Sequence, residues 1–517
     1  MLECRKKNML RVTKTENGWV RGIPAADPRI TAFKGIPFAA PPVGELRWKG
    51  PRPAADWEGI RDCYTFGPIA MQRVNDMNPN NIYNREWNVD PDIEMSEDCL
   101  HLNIWTSAKT GDEKMPVMVW FYGGGLNEGH PSEMEFDGER IARRGVVIVT
   151  VNYRVNVFGF LAHPEITATA DDGCYTNFGN YDQRYGLCWV KRNIANFGGD
   201  PDNITIFGQS AGGRSTLFQL LSPLNDTDHI KRAISMSGGG ISYMSPMRYP
   251  SLAEAEANGV EFFKFLGVKN LKEAKEINAV TLRDKMLEFK GMRWGAVVDG
   301  VFLPDDPAKL LAENKRLQVP LMAGHTTGDM SDLFAYMPSR EAIRDQIIGL
   351  AGEAAAAEIL KLADYDNNDL EGLKKALAIN SQRFGVELLH MRGSDAKLPM
   401  YFYRFGPDIP GWDNPGAFHS SDLWFFFETL AKCWRPFKGK HYDLARLMCN
   451  YITNFAKTGD PNGDDADGQP MPYWNAFTDE TPYSMEFLDV CAMGTETELP
   501  AVRKLLEKTA ENHWRGK

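Results

Sequence analysis

The stretch NITIFGQSAGGRS, residues 203–215, sets one hydroxyl among residues with almost no side chain. Within it, Gly208-Gln209-Ser210-Ala211-Gly212 fits G-x-S-x-G, a turn that presents a nucleophilic serine between a strand and a helix. NITIF has the content of a strand, and GGRSTLFQLLSPL reads as a helix stopped at Pro223. A strand feeding straight into a helix strains the corner residue by about 1–3 kcal/mol. Small neighbours let the two elements close on each other. A serine hydroxyl is a weak nucleophile at neutral pH. It needs a general base, an acid to orient that base, and donors for the oxyanion that develops on the substrate. FYGGGLNEG, residues 121–129, offers such donors, because three glycines after the strand PVMVW leave backbone N–H groups uncovered. A phosphate-binding loop would need a following Lys-Ser/Thr, which this stretch lacks.

The elements that must position these loops are legible as continuous apolar runs. PVMVWFY (116–122), GVVIVTVNY (145–153), NITIF (203–207), RAISMS (232–237), VPLMAG (319–324) and PMYFYRF (399–405) read as strands covered on both faces. Helical pattern lies between them. In DLARLMCNYITNFAKTG, the residues Leu444, Leu447, Met448, Tyr451, Ile452 and Phe455 fall on one stripe, and Gly459 is placed to end the helix. This alternation predicts an α/β fold: a large, mainly parallel central sheet with helices on both faces. Helical stretches at about 250–315 and 336–395 contain no strong strand and are expected as insertions over the carboxyl edge of the sheet. Residues 1–517 show no repeat and no linker-like tract, so one domain is expected.

Composition narrows the function classes. The chain has 517 residues, 43% of them hydrophobic, with 58 basic against 69 acidic side chains and a net charge of -11. Nucleic-acid binding, which needs clustered Lys and Arg, is not expected. No apolar run approaches the roughly 18 residues of a membrane helix. The start, MLECRKKNMLRVTKTENG, has neither the apolar core nor the cleavage site of a secretory signal, so a cytoplasmic location is expected. The cysteines, at 4, 63, 99, 174, 188, 433, 449 and 491, are scattered without metal-ligand spacing. Reduced thiols, no metal and no cofactor are therefore expected. Composition says nothing of oligomeric state.

From about residue 15 to 490 the chain closely resembles the type-B carboxylesterases, a family that includes para-nitrobenzyl esterases, cholinesterases and fungal lipases. The blocks that carry the likeness are FKGIPFAAPPVGELRWKGPRP, SEDCLHLNIW, FYGGG, VTVNYRVNVFGFL, GNYDQRYGLCWVKRNIANFGGDPDNITIFGQSAGG, AFHSSDLWFFF and FAKTGDPNG. The resemblance implies the α/β-hydrolase fold and the hydrolysis of carboxylic esters through an acyl-enzyme. It implies Ser210 as nucleophile, His419 as general base, and Gly124, Gly125 and Ala211 as oxyanion-hole donors. The order serine, acid, histidine agrees with that fold, whereas His390 and His441 lie within helical patterns. The acid is expected at Asp329, with Asp332 as its rival, both within AGHTTGDMSDLF. Asp329 stands at the position of the family's usual Glu, with Met330 where a glycine would follow, and Asp332 lies three residues on. Two further positions depart from the family. Gln209 precedes the nucleophile where many members carry Glu, and Asp422 stands where they often carry a second Glu. Cys99 matches a disulfide position of the family, but Ala70 stands at the partner's place, and Cys63 is a poor substitute.

Similar esterases line their acyl and alcohol pockets with the regions that here hold Leu126, Trp294, Trp424 and Phe425. The aromatic content points to aryl or medium acyl groups. RVNDMNPNNIYNREWNVDPDIEM, residues 73–95, is expected at the rim, where its polar and aromatic mix suits a sugar or a phenol. The expected partner is a small-molecule ester. Feruloyl or other carbohydrate esters are the alternative substrates. A silent, adhesion-type relative would have lost triad residues, and Ser210 and His419 are both present.

Overall fold

Residues whose side chains branch at Cβ or carry rings are packed from both sides in the middle of the sheet, so their runs are unbroken. The computed structural model describes residues 9–514 apart from 88, 91, 239–248, 330–331, 382, 386, 389–397, 466, 479–480, 482 and 495–498. Among the described residues, eleven strands form the central sheet. In chain order they are β1 (Ile23–Pro24), β2 (Thr31–Pro37), β3 (His101–Thr106), β4 (Met115–Phe121), β5 (Val147–Val151), β6 (Gly199–Gln209), β7 (Arg232–Met236), β8 (Leu321–Thr326), β9 (Met400–Phe405), β10 (Met485–Phe487) and β11 (Cys491–Met493). Their spatial order is β11-β10-β9-β8-β7-β6-β4-β5-β3-β2-β1. The block from β5 to β10 is parallel throughout. The flanks β1–β3 and β11 join antiparallel. The fold is therefore α/β with a large, mixed, mostly parallel sheet.

The strands read from the sequence are the six central ones, β4 to β9. The flanking strands went unread for a physical reason. In β3 every residue is buried, yet His101, Asn103 and Thr106 interrupt the apolar run. Asn103 is satisfied internally, accepting from Gly35 N at 2.9 Å and donating to Thr150 Oγ1 at 3.0 Å. A buried amide that completes its hydrogen bonds inside a sheet looks like a loop residue in sequence.

Within 250–315 the described residues form the helices Leu252–Leu266, Leu271–Glu276, Ala279–Glu288 and Pro307–Ala312, with 289–306 outside any helix. Leu252–Leu266 starts at a capping box of Ser251 and Glu254 and ends at Gly267 in the left-handed region. Arg340–Ala351, Glu353–Leu362 and Leu370–Ala376 form the second group. Together with Pro500–Trp514 they close a hydrophobic cluster of their own, with Ile343, Ile347, Ile359, Leu373, Leu505 and Leu506. The helix Gly439–Thr458 buries Leu444, Met448, Tyr451, Ile452 and Phe455 and ends at Gly459. His390 lies outside the described residues. No helix among them is long and apolar enough to cross a membrane.

The topology decides where a site can form. β4 sits between β5 and β6, so the chain leaves it towards opposite sides on successive crossings. Such a switch point opens a crevice at the carboxyl ends of the strands. The register pairs Gly208 of β6 with Phe121 of β4, which delivers the two glycine-rich loops side by side.

Candidate active site

At the end of β6 the chain turns within one residue. Ser210 has φ 56° and ψ -120° and caps the helix Ala211–Leu221. Ser210 N donates to Met236 O at 2.9 Å, which pins the turn to β7. A Cβ on Gly212 would lie 2.0 Å from Phe121 O, so no larger residue fits where the helix crosses β4. This accounts for the small residues around the serine.

The loop after β4 lies against this turn. A Cβ on Gly123 would come within 3.2 Å of Ser210 Cβ. Gly124 has φ 96°, a conformation that side chains disfavour, and its Cβ would meet Glu128 O at 2.0 Å. Among the described residues, no protein acceptor pairs with the backbone N–H of Gly124, Gly125 or Ala211. First-turn N–H groups such as Ala211's have no partner within the helix and favour an anion. Gln72, which the sequence reading did not single out, clamps the loop, accepting from Gly129 N at 2.8 Å and donating to Gly129 O at 3.0 Å. Gln72 also lines a cavity of about 270 Å³ with Ile69, Trp87, Ile93, Met95 and Met134.

The loops after β8 and β9 carry the acid–base pair. His419 Nδ1 lies 2.6 Å from Asp329 Oδ1, and Asp329 is 0% exposed. Asp332 is exposed and pairs through its backbone with Asn380. The geometry thus brings Asp329, not Asp332, to the histidine. A side chain one methylene shorter than Glu requires the two loops to come close. They do: Gly328 N donates to Ala417 O at 2.9 Å, and Gly328 and Phe418 form a parallel bridge. Asn380 Nδ2 donates to Asp329 O at 2.6 Å and holds the carboxylate-bearing turn.

Electrostatics follow from this packing. Burial works against a charge on His419, but the charge and hydrogen bond of Asp329 outweigh it and raise the imidazole above its ordinary pKa. Burial likewise opposes ionisation of Asp329, while His419 holds the carboxyl below its usual range. His419 Nε2 lies 3.4 Å from Gln209 Nε2, so a neutral amide stands beside the imidazole. Asp422 is also fully buried, and Tyr403 donates its hydroxyl to Oδ2 at 2.8 Å. Burial pushes its carboxyl up to about 6.

The four residues expected to line the pocket are all buried. Leu126 follows the glycines with φ 63°, and its carbonyl accepts from Asn156 N at 2.7 Å. Trp294 packs on Phe262 and Phe289, at ring separations of 5.2 and 6.0 Å, beside the glycine loop. Trp424 and Phe425 belong to the same hydrophobic core as Leu126 and Trp294. Both are buried, and the ring of Phe425 sits 4.9 Å from Phe405 and 5.6 Å from Phe437. The short helix Leu423–Phe426 turns its aromatic residues into the protein interior. His441 is a helix residue, its Nδ1 accepting from Lys438 N at 2.9 Å. In the 73–95 segment, Tyr83 stacks on Trp87 at 5.4 Å, and Trp87 meets Phe418 at 6.1 Å, which sets this segment beside the base. Cys63 and Cys99 are both buried free thiols.

A nucleophile turn, uncovered N–H groups and a histidine–carboxylate pair at one sheet edge recur on unrelated folds, so this geometry alone names a chemistry rather than a lineage. A model of the carboxylesterase family matches residues 10–503. The chain belongs to the carboxylesterase family. The para-nitrobenzyl esterase of Bacillus subtilis is 30% identical over 490 residues, covering 91% of this chain and 93% of that one. The fumonisin B1 esterase of Sphingopyxis macrogoltabida is 31% identical over 427 residues, 81% of this chain and 75% of that one. The solved carboxylesterase of Geobacillus stearothermophilus superposes with a TM-score of 0.73 at 29% identity, over 98% of this chain and 100% of that one. This carboxylesterase is thus an α/β-hydrolase and a carboxylic ester hydrolase of the type-B family.

Proposed function

We propose that Ser210, His419 and Asp329 form the catalytic triad of a general carboxylesterase acting on small esters. Residues 1–517 are read as one α/β-hydrolase unit with helical insertions. His419 takes the proton of Ser210 Oγ as that oxygen attacks the ester carbonyl carbon. The carbonyl oxygen becomes an anion and is met by the N–H groups of Gly124, Gly125 and Ala211. The tetrahedral intermediate collapses, His419 returns the proton to the leaving alcohol, and the acyl group remains on Ser210. Water, deprotonated by the same imidazole, then releases the acid. Asp329 keeps the imidazole in the tautomer that has Nε2 free and stabilises its cationic form. The observation that carries the reading is the 2.6 Å contact between His419 Nδ1 and the fully buried Asp329.

The test is covalent. A sulfonyl fluoride should add once per chain, on Ser210, and stop hydrolysis of para-nitrophenyl butyrate. Ser210→Ala should lower kcat by about 10³-fold or more, because nucleophile and base act as one unit. Labelling at another serine with activity retained would overturn the assignment.

A further inference from the structure

The glycine loop carries an arginine that nothing in the proposed mechanism uses. Arg293 reaches over from the segment before Trp294, and its Nη2 donates to Gly125 O at 3.3 Å. That nitrogen lies 2.1 Å from where a Cβ on residue 125 would be, so glycine at this position admits it. The side chain is exposed, and it is the backbone of its segment that is tied to the loop. Asn127 Nδ2 donates to Gly125 O at 2.9 Å and to Trp294 O at 3.0 Å, tying the arginine's own segment to the loop. Trp294 anchors that segment in the aromatic cluster with Phe262 and Phe289.

Among the described residues the guanidinium has no second hydrogen-bond partner. It has five N–H donors, and the bond to Gly125 O is the one the structure gives it. No carboxylate among the described residues forms an ion pair with it, although the chain has an acidic excess and a net charge of -11. Glu128 lies near enough for the charge of Arg293 to act on its carboxyl, but no ion pair closes between them, so a substrate carboxylate would share the guanidinium's field with Glu128. Arg293 binds a carbonyl oxygen of the loop and leaves the N–H groups of Gly124 and Gly125 to the substrate. A planar, permanently charged fork held beside an oxyanion site suits a carboxylate, which it can engage with two parallel hydrogen bonds.

We propose that Arg293 is a specificity residue that selects esters bearing a free carboxylate on the part of the substrate lying along the glycine loop. The proposal rests on the carboxylesterase reading and narrows its substrate class to include half-esters of dicarboxylic acids or esters of hydroxy acids.

The experiment compares matched pairs of substrates in wild type, Arg293→Gln and Arg293→Lys. One pair carries the charge on the acid half: para-nitrophenyl hemiglutarate against para-nitrophenyl valerate. The other carries it on the alcohol half: 4-acetoxybenzoate against 4-methylphenyl acetate. In Arg293→Gln the anionic-to-neutral ratio of kcat/KM should fall about five- to tenfold in one of the two pairs, as expected for loss of a charge-assisted contact at a partly solvated site. Arg293→Lys should retain part of the ratio, because it keeps the charge and loses the fork. Added salt should depress the anionic ester alone in wild type. Ratios that stay the same in both pairs, including a parallel fall of charged and neutral esters, overturn the proposal. Failure of the underlying reading looks different: the wild-type protein would not hydrolyse the neutral esters at all.

Discussion

The charge around His419 is a matter of single residues, and each can be changed without moving the backbone. Asp329→Asn should lower kcat by about 10⁴-fold, because the amide favours the wrong imidazole tautomer. Asp332→Asn should leave kcat within about twofold, its side chain being exposed and away from the histidine. Steady-state kinetics on one ester decide between them, and a reversed ranking would reassign the acid. Gln209→Glu puts an anion where Nε2 of the amide now lies 3.4 Å from the imidazole. An added anion favours the imidazolium, so the acid limb of kcat/KM should move to higher pH. Asp422 opposes this. It is buried with its carboxyl already raised to about 6, and a second anion nearby would drive it to take up a proton and cancel the change. The double variant Gln209→Glu, Asp422→Asn removes that competitor, and its limb should move further than the single variant's. A limb unmoved even in the double variant would show that residue 209 is not coupled to His419. The sharp turn at Ser210 was legible because a strand, small residues and a helix occur in immediate succession. Asp329 was reached only through the family resemblance, because its contact with His419 runs through the bond from Gly328 to Ala417, which joins two loops far apart in sequence.

Between elements, one buried guanidinium does the joining. Arg435 meets Glu86 at 2.7 Å with both side chains 0% exposed, and it meets Asp413 at 2.9 Å. Glu86 ends the rim helix Ile82–Glu86, and Asp413, which also pairs with Arg85 at 2.7 Å, lies in the loop leading to His419. The guanidinium sits over the ring of Phe418, 5.4 Å from its centre. Rim, base loop and core are thus held at one point. Removing one partner of a buried pair leaves a charge without compensation, so Glu86→Ala should cost about 3 kcal/mol, read from the urea midpoint. A cost below about 0.5 kcal/mol would mean that Asp413 alone suffices. None of this was visible in the sequence, where Glu86 and Arg435 look like surface charges. The six central strands were visible because burial on both faces leaves a signature in composition. The flanking strand β3 was hidden by polar residues that pair within the sheet, and β1, β10 and β11 by running only two or three residues.

At the scale of the molecule, a mostly parallel sheet gathers the ends of β4, β6, β8 and β9 along one edge, so the candidate site draws on residues from 123 to 419. The reactive turn can then be ranked against the rest of the fold. The backbone angles of Ser210 belong to a region that glycine occupies freely, and holding serine there costs about 1–3 kcal/mol. Ser210→Gly should therefore be inactive yet melt higher than wild type, by about 1–2 °C for a chain of this length after allowing for glycine's greater freedom when unfolded. Calorimetry would show it, and a lower melting temperature would mean that the side chain contributes more than its backbone strain removes. Stability and turnover are set against each other at this one position. Selection for heat resistance alone would favour glycine at residue 210 and silence the enzyme in the same step.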